Sequence, residues 1–258
     1  MSHENLTDLR AFATELAYVA GRVTLRYFQT DVGVELKEDH SPVTIADRSA
    51  ERLMRELIEQ TYPHHSILGE EEGETRPGAS FRWILDPIDG TKSFVAGVPM
   101  YTVLVGLERD GIPVVGAVAI PPSNELISAA TGQGCLWNGR RARASTTREL
   151  SQAVISTTDV QHMYENNKGP AFDRLRNRAR MVRGWGDAYG HMLVATGRID
   201  VMLDALMSPW DCAALVPILQ ESGATFTDWT GVTTIYGGNA VSTNGILYEQ
   251  VMQTIRGE

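Results

Sequence analysis

Long apolar runs are missing from this chain of 258 residues. A membrane-spanning helix needs about 20 consecutive apolar residues. The most apolar N-terminal stretch is interrupted by Asp8, Arg10, Glu15, Arg22 and Arg26. The first residues also lack the basic cluster and apolar block of a secretion signal. We therefore expect no contact with a membrane and a cytoplasmic location.

Cysteine is scarce, since the chain contains Cys135 and Cys212 and no Cys-x-x-Cys spacing. Two cysteines are too few for a disulfide framework. The sequence predicts two reduced, packed thiols without a chemical role.

Basic residues are outnumbered by acids, 23 Lys and Arg against 32 Asp and Glu, which gives a net charge of −9. No Lys/Arg-rich block stands out, and such a charge repels a nucleic-acid backbone. We expect no nucleic-acid partner. The same charge repels a phosphorylated metabolite unless cations lie between the carboxylates and the phosphate.

Apolar residues make up 43% of the chain, which is enough for a substantial core. Their spacing predicts helices over 5–29, 43–62, 170–178, 188–197, 212–219 and from 246 onward. Strands are predicted over 66–68, 81–85, 102–107, 114–120, 125–130, 153–157, 179–183, 199–204, 224–228 and 240–243. The prediction is an α/β fold with helices on both sides of its sheets. Without a linker or repeat, residues 1–258 form a single domain, with two lobes of about 1–145 and 146–258 that share a cleft.

The segment Asp86-Pro87-Ile88-Asp89-Gly90-Thr91 is the most informative motif. A buried strand delivers Asp86 at its carboxyl end, and the turn brings Asp89 to the same small volume. Two carboxylates repel one another unless a cation is present, and Mg²⁺ prefers carboxylate and carbonyl oxygens, including that of Ile88. A helix that begins at Gly90-Thr91 offers free N–H groups to a phosphate. The alternative is an acidic turn with solvated side chains.

Other acids are less decisive alone. Glu70 lies in an acidic stretch that is typical of a solvated loop, and Asp47 reads as an exposed helical acid. Asp211 precedes an apolar helix, where it either caps free amides or binds a metal. Pro217 is expected to kink that helix. His64-His65 lacks a third ligand at zinc spacing and is read as non-catalytic.

Three motifs in register resemble the inositol monophosphatase superfamily of Mg²⁺-dependent phosphatases over nearly the whole chain. They are Gly69-Glu70-Glu71, Asp86-Pro87-Ile88-Asp89-Gly90-Thr91 and Trp210-Asp211-Cys212-Ala213-Ala214. The resemblance implies a layered αβαβα sandwich of the inositol monophosphatase and fructose-bisphosphatase type. It also implies a homodimer that acts on a small-molecule phosphate monoester.

The resemblance further implies a set of site residues. About two or three Mg²⁺ per site are expected, held by Glu70, Asp86, Asp89, Asp211 and the Ile88 carbonyl. Asp47 and Thr91 match the pair that orients and deprotonates the attacking water, and Glu70 is counted with them as catalytic. The expected substrate contacts are Ile88, Asp89, Gly90, Thr91, Arg183, Asp187, Ala188, Asp204 and Asp211.

Within the superfamily, residues 183–204 look most like histidinol-phosphate phosphatases. Inositol-specific members usually have a small or hydroxyl residue at the position of Asp187 and a glutamate at that of Asp204. Acids near the leaving alcohol suit histidinol phosphate, whose alcohol carries an ammonium group, better than inositol. Asp187 alternatively caps the helix that follows it, and Arg183 binds phosphate or pairs with an acid.

The expected reaction is direct attack of metal-activated water on the phosphoryl group. An aspartyl-phosphate route ranks low, because the second acid of the motif is one position too far along. The enzyme alternatives are an inositol-1-monophosphatase or a phosphatase of another small sugar or nucleotide alcohol. A non-catalytic binding module is disfavoured, since an idle site has no need of concentrated acids.

Overall fold

The computed structural model describes residues 4–31, 33–36 and 42–258. Its helices are α1 (Leu6–Thr24), α2 (Ile45–Thr61), α3 (Thr91–Val95), α4 (Val160–Glu165), α5 (Gly169–Arg178), α6 (Asp187–Ala195), α7 (Pro209–Cys212), α8 (Leu215–Ser222) and α9 (Tyr248–Arg256). Its strands are β1 (Val34–Leu36), β2 (Pro42–Thr44), β3 (Ser66–Gly69), β4 (Gly73–Thr75), β5 (Phe81–Asp89), β6 (Thr102–Arg109), β7 (Ile112–Ile120), β8 (Glu125–Ala130), β9 (Gly134–Trp137), β10 (Arg140–Arg141), β11 (Val154–Thr157), β12 (Met181–Arg183), β13 (Val201–Asp204), β14 (Thr225–Thr227) and β15 (Ala240–Thr243). Single 3₁₀ turns lie at Pro121–Ser123 and Leu150–Gln152.

Two main sheets organise the chain, and β1 and β2 form a separate antiparallel pair. The large sheet has eight strands in the order β10-β9-β8-β7-β6-β5-β3-β4, with β3 parallel to β5 and the other neighbours antiparallel. The second sheet has five strands in the order β12-β11-β13-β15-β14. β11 is parallel to both of its neighbours, and β13, β15 and β14 alternate in direction.

Helices and sheets stack as five layers. Leu16 of α1 and Met54 of α2 pack with Trp83 on one face of the large sheet. The other face shares a core with α6, α8 and the second sheet, which includes Leu104 and Met192. Helices α4, α5 and α9 cover the far side of the second sheet. The order helix, sheet, helix, sheet, helix confirms the predicted αβαβα sandwich, whereas the boundary between two lobes stays a prediction.

Helix ends differ from the predicted ones for local reasons. α1 ends at Thr24 rather than near residue 29, because the next residues make tighter i to i+3 bonds that close the last turn. α2 begins at Ile45 because Thr44 accepts a hydrogen bond from the Ala46 amide and caps it. α4 was not predicted, although Asp159 caps it as an aspartate typically does.

The predicted helix over 212–219 is wrong in its continuity. The chain forms α7 and then α8, so Pro217 lies in the first turn of α8 and not two turns inside a helix. The first amides of a helix have no intrahelical acceptor, and proline at this position therefore breaks no bond. Among the described residues, none of the helices is long and apolar enough to cross a membrane.

Candidate active site

Three carboxylates from distant parts of the chain meet between the large sheet and α7. Oxygens of Asp86, Asp89 and Asp211 lie within 4.8 Å of one another. Oxygen donors in this number and spacing fit a hard divalent cation such as Mg²⁺. The structure therefore brings together the acids of two of the three sequence motifs.

The end of β5 places the first two acids. The strand does not stop at Asp86 as predicted but continues to Asp89, with an irregular register between them. Pro87 lies in this interval and has no N–H to give to the ladder. Asp86 Oδ1 accepts the Ile88 amide at 3.0 Å. The irregularity turns both carboxylates toward the same side.

Two further contacts fix Asp89. Its Oδ2 accepts the hydroxyl of Thr102 on β6 at 3.1 Å and the backbone N–H of Ala188 at 2.6 Å. The second bond joins the large sheet to α6. Ala188 thus contacts the site through its backbone amide, which donates a hydrogen bond to Asp89.

Asp211 both caps a helix and belongs to the cluster. Its Oδ2 accepts the Ser208 amide at 2.6 Å as part of a capping box at the start of α7. Gly106 and Gly116 are partners across β6 and β7, and they let the Ala213-Ala214 backbone approach the sheet. A methyl group on Gly106 would lie 2.6 Å from the Ala213 Cβ.

Asp211 is thus both a helix cap and a member of the carboxylate cluster, so its two predicted roles are compatible.

Burial and mutual repulsion raise the pKa of all three clustered acids. The pKa of Asp86 is well above its usual value because of desolvation, then the charges of Glu70, Asp89 and Asp211. Desolvation also dominates for Asp89, followed by the charge of Asp187. The pKa of Asp211 is raised by desolvation and by Asp89. A divalent cation would relieve the repulsion that the three carboxylates share.

Glu70 and Asp47 approach the cluster from β3 and α2. The Glu70 amide donates to Leu85 next to Asp86, and Glu70 lines the cavity described below. Asp47 is buried, so its interpretation as an exposed helical acid is wrong. Its Oδ2 accepts the Thr44 hydroxyl at 2.6 Å and the Thr44 amide at 2.8 Å. Desolvation raises the pKa of Asp47 against these two bonds, and the charge of Glu70 adds to the rise.

The residues after Asp89 form the floor of a cavity of about 300 Å³. Gly90 adopts a left-handed conformation with φ of 84° and precedes the first turn of α3, as predicted. The Thr91 hydroxyl donates to the Ile88 carbonyl at 3.0 Å. In the described part of the chain, no hydrogen bond joins Thr91 to Asp47 directly.

Asp187 lines the cavity next to Gly90. It has φ of 56°, a left-handed conformation that aspartate tolerates better than most residues. Its Oδ2 lies so near Gly90 that a Cβ there would be 2.8 Å away. Asp187 is the first residue of α6, whose N-cap is Gly186, and the described structure shows no side-chain capping bond at this helix start. Burial, then Asp204 and Asp211, raise the pKa of Asp187 to about 7.

Of the nine predicted substrate contacts, Gly90, Thr91 and Asp187 line the cavity, and six do not: Ile88, Asp89, Arg183, Ala188, Asp204 and Asp211. Asp204 is buried behind Asp187 and accepts hydrogen bonds from His191 and Thr158. Arg183 is exposed at the end of β12, and its guanidinium donates to the Val182 carbonyl. Neither of its predicted roles, phosphate binding or pairing with an acid, has a contact in the described structure.

The cavity also has walls that the sequence reading missed. They consist of Pro42, Lys92, Ser93, Thr158, Asp159, His162 and Leu206. Lys92 and Ser93 directly follow the Gly90-Thr91 turn, so helix geometry was enough to suggest them. The lining residues from Thr158 to His162 were not suggested in this way, because α4 was not predicted. His65, in contrast, packs among Tyr62, Phe81 and Trp83, as a non-catalytic histidine does.

The inositol monophosphatase family model matches residues 5–257. The chain belongs to the inositol monophosphatase family. It is 42% identical to a histidinol-phosphatase of Chlorobaculum parvum over 94% of this chain and 95% of that protein. A histidinol-phosphatase of Mycobacterium tuberculosis is 36% identical, with 98% of each chain covered. The solved inositol monophosphatase of Anabaena superposes with a TM-score of 0.87 at 31% identity, covering 98% of this chain and 97% of that one.

Membership of this family makes the protein a phosphatase of small phosphate monoesters. The family is metal-dependent, typically on Mg²⁺, and the cluster of Asp86, Asp89 and Asp211 has the donor set for it. The predictions of family, of sandwich fold and of a phosphatase are confirmed.

The raised pKa values predict an unusual pH dependence of stability. Asp187 and the clustered acids hold protons more tightly in the folded, metal-free protein than in the unfolded chain, where their pKa is about 4. For Asp187, whose pKa is raised to about 7, this stabilisation is complete below about 4 and is lost as pH rises through about 7. The raised pKa values of the clustered acids act in the same direction. In EDTA we expect a Tm about 4–8 °C lower at pH 8 than at pH 5.5.

Added Mg²⁺ should restore the Tm at pH 8 and change it little at pH 5.5, where protons compete for the acids. Thermal unfolding at both pH values, with EDTA or Mg²⁺, measures this. A metal-free protein that melts at a higher temperature at pH 8 than at pH 5.5 contradicts the electrostatic account of the site.

Proposed function

We propose that this phosphatase hydrolyses L-histidinol phosphate to L-histidinol and phosphate, a step of histidine biosynthesis, with Mg²⁺ as its cofactor. The observation that carries the proposal is Asp187, an acid in the cavity lining next to Gly90. Asp204 lies behind it and Asp159 beside it, and both add negative potential. An alcohol with an ammonium group suits this wall better than an uncharged polyol does. The names of the two curated relatives agree with it.

The residues of the floor are proposed to bind and orient the phosphate. Backbone amides of Gly90 and Thr91 face the phosphate, and Lys92 adds a positive charge at the same end of the cavity. Bound Mg²⁺ would lower the pKa of water and offset the negative charge of the phosphoryl group. Its proposed ligands are Glu70, Asp86, Asp89, Asp211 and the Ile88 carbonyl. About two or three ions per site are proposed.

Asp47 is proposed as the acceptor of the proton from the attacking water, with Thr91 orienting that water. Asp47 is buried and held by Thr44 at a fixed position, which suits a general base. Water attacks phosphorus directly as the ester P–O bond on the opposite side breaks, and the departing alkoxide takes a proton from solvent to become the alcohol. Asp204 is proposed to act on the substrate through Asp187, because it lies behind that residue. Arg183 stays a predicted phosphate ligand, and a homodimer in the cytoplasm stays a prediction.

Inositol 1-phosphate is the second candidate substrate, since the Anabaena structure is that of an inositol monophosphatase. A panel of L-histidinol phosphate, inositol 1-phosphate, fructose 1,6-bisphosphate and 3′-phosphoadenosine 5′-phosphate, assayed with Mg²⁺ and with EDTA, separates the alternatives. We expect the largest kcat/KM for L-histidinol phosphate and no turnover in EDTA. Preference for inositol 1-phosphate overturns the proposal.

Asp187→Asn should reduce selectivity for the cationic alcohol. Asparagine tolerates the same left-handed backbone, so the variant removes the charge without new strain. We expect kcat/KM for L-histidinol phosphate to fall about tenfold or more, and that for inositol 1-phosphate less than about threefold.

Asp110→Asn is a matched control, because Asp110 has φ of 52° but is exposed in the turn between β6 and β7. Its kinetics should equal those of the wild type. Equal losses on both substrates in Asp187→Asn would mean that the Asp187 charge does not select the alcohol.

A further inference from the structure

Three side chains form a buried hydrogen-bonded chain beneath the cavity. Ser242 Oγ lies 2.7 Å from His191 Nδ1, and His191 Nε2 lies 3.0 Å from Asp204 Oδ2. His191 and Ser242 are 0% exposed and Asp204 is 4% exposed. His191 lies on α6, one turn after Asp187, in a helix whose other buried residues are apolar or glycine. A buried imidazole among such neighbours needs an explanation.

The set contains the residue types of a hydrolytic triad, but its position excludes a nucleophilic role. Ser242 lies in the middle of the second sheet, where β15 pairs with β13 on one side and β14 on the other. No substrate reaches a hydroxyl that is fully buried between two strands. The histidine therefore acts on Asp204 and not on a substrate.

Both oxygens of Asp204 have a donor. His191 Nε2 donates a hydrogen bond to Oδ2, and the backbone N–H of Thr158 donates one to Oδ1 at 3.3 Å. The Asp204 carbonyl also accepts the Trp229 indole N–H at 2.9 Å. A carboxylate keeps its charge away from water only where hydrogen-bond donors face it. His191 thus supplies one of two donors that fix this buried anion in a single orientation.

Thr158 connects this anion to the cavity wall. Its hydroxyl accepts the Asp187 amide at 2.7 Å, while its own amide binds Asp204. Thr158 and Asp187 both line the cavity. Only Thr158 separates Asp204 from Asp187 in this chain of hydrogen bonds. A shift of Asp204 therefore moves the Asp187 backbone and changes the electrostatic potential at the Asp187 carboxylate.

We infer that His191 is a positioning residue for substrate selectivity, which holds Asp204 as an oriented anion behind Asp187 and so favours a substrate whose alcohol is positively charged. The inference rests on the proposed function. His191 does not touch the substrate, and it acts through Asp204 and Thr158.

Two substitutions of similar size test the role. In His191→Gln, the amide nitrogen occupies roughly the place of Nε2 and can still donate to Asp204. In His191→Asn, the shorter side chain reaches Ser242 but not Asp204. We expect His191→Asn to raise KM for L-histidinol phosphate about tenfold, with kcat changed less than about threefold. His191→Gln should stay within about threefold of the wild-type KM.

The comparison substrate is p-nitrophenyl phosphate, whose leaving group carries no positive charge, and KM for it should differ between the Asn and Gln variants by less than about twofold. In an Asp204→Asn background, His191→Asn should add no further loss, because the two residues act in one chain. Circular dichroism and thermal unfolding check that each variant is folded. If His191→Asn does not fold, the ¹⁵N-coupled ring N–H signal of His191 and its loss in Asp204→Asn test the contact directly.

The outcomes separate the two proposals. A wild-type protein that does not hydrolyse L-histidinol phosphate overturns the proposed function and the selectivity role with it. A protein with that activity in which the Gln and Asn variants behave alike, or both substrates suffer equally, overturns the positioning role alone. A loss in His191→Asn that adds to the loss in Asp204→Asn also overturns the positioning role. A His191 ring N–H signal that Asp204→Asn leaves unchanged overturns it as well.

Discussion

Asp89→Asn should lower kcat by about a thousandfold or more, because it removes a ligand oxygen of the proposed metal site. The substitution is local. Oδ2 accepts both hydrogen bonds to Asp89, from Thr102 and Ala188, and the asparagine oxygen can accept them in the same way. The amide group replaces the other oxygen, and an amide nitrogen is a poor ligand for Mg²⁺.

The fold should tolerate this change. Removing one of three repelling acids leaves the metal-free variant at least as stable as the metal-free wild type at pH 8. Steady-state kinetics with Mg²⁺ and thermal unfolding in EDTA measure the two quantities, with Asp110→Asn as the surface control. Wild-type turnover in Asp89→Asn would end the metal-site account.

Gly116→Ala should have the largest effect on stability. A methyl group at this position overlaps the carbonyl oxygen of Ala214, and the backbone between α7 and α8 offers no flexible side chain to move aside. Overpacking of this kind costs about 3 kcal/mol, which corresponds to a Tm about 6–12 °C lower in a chain of this size.

The same displacement shifts Asp211, which lies only three residues before Ala214. Activity at temperatures where the variant is still folded should therefore fall as well, by about tenfold or more. Gly33→Ala is the control, since no atom of the described residues lies within 4 Å of a Cβ there. A variant Gly116→Ala with the wild-type Tm would contradict the close approach of the α7–α8 junction to the sheet.

The sequence predicts this fold well where a single pattern of apolar residues defines a helix or strand. β6 to β8 appear close to their predicted bounds because their apolar runs are continuous and their turns contain glycine, proline or asparagine. The errors lie where local chemistry decides. Thr44 caps α2, and the break between α7 and α8 depends on contact with Gly106 and Gly116, which lie about 100 residues earlier.

The site shows the same division. Asp86, Asp89 and Asp211 were found through motifs whose spacing has a chemical reason. The burial of Asp47 was not predicted. Thr44 stands three residues before Asp47 in the sequence, but the proximity of Glu70 arises only when the chain folds. Thr158 and His191 gave no motif at all. Their roles depend on which strands lie side by side, and tertiary packing alone determines that.

The acids of the site are spread along the chain from Asp47 to Asp211. A nascent chain that ends at Thr91 already contains the Gly90-Thr91 turn but neither Asp187 nor Asp211. The cluster of Asp86, Asp89 and Asp211 therefore forms only after α7 has been synthesised and packed on the large sheet. Products truncated before α7 should consequently lack the proposed metal site.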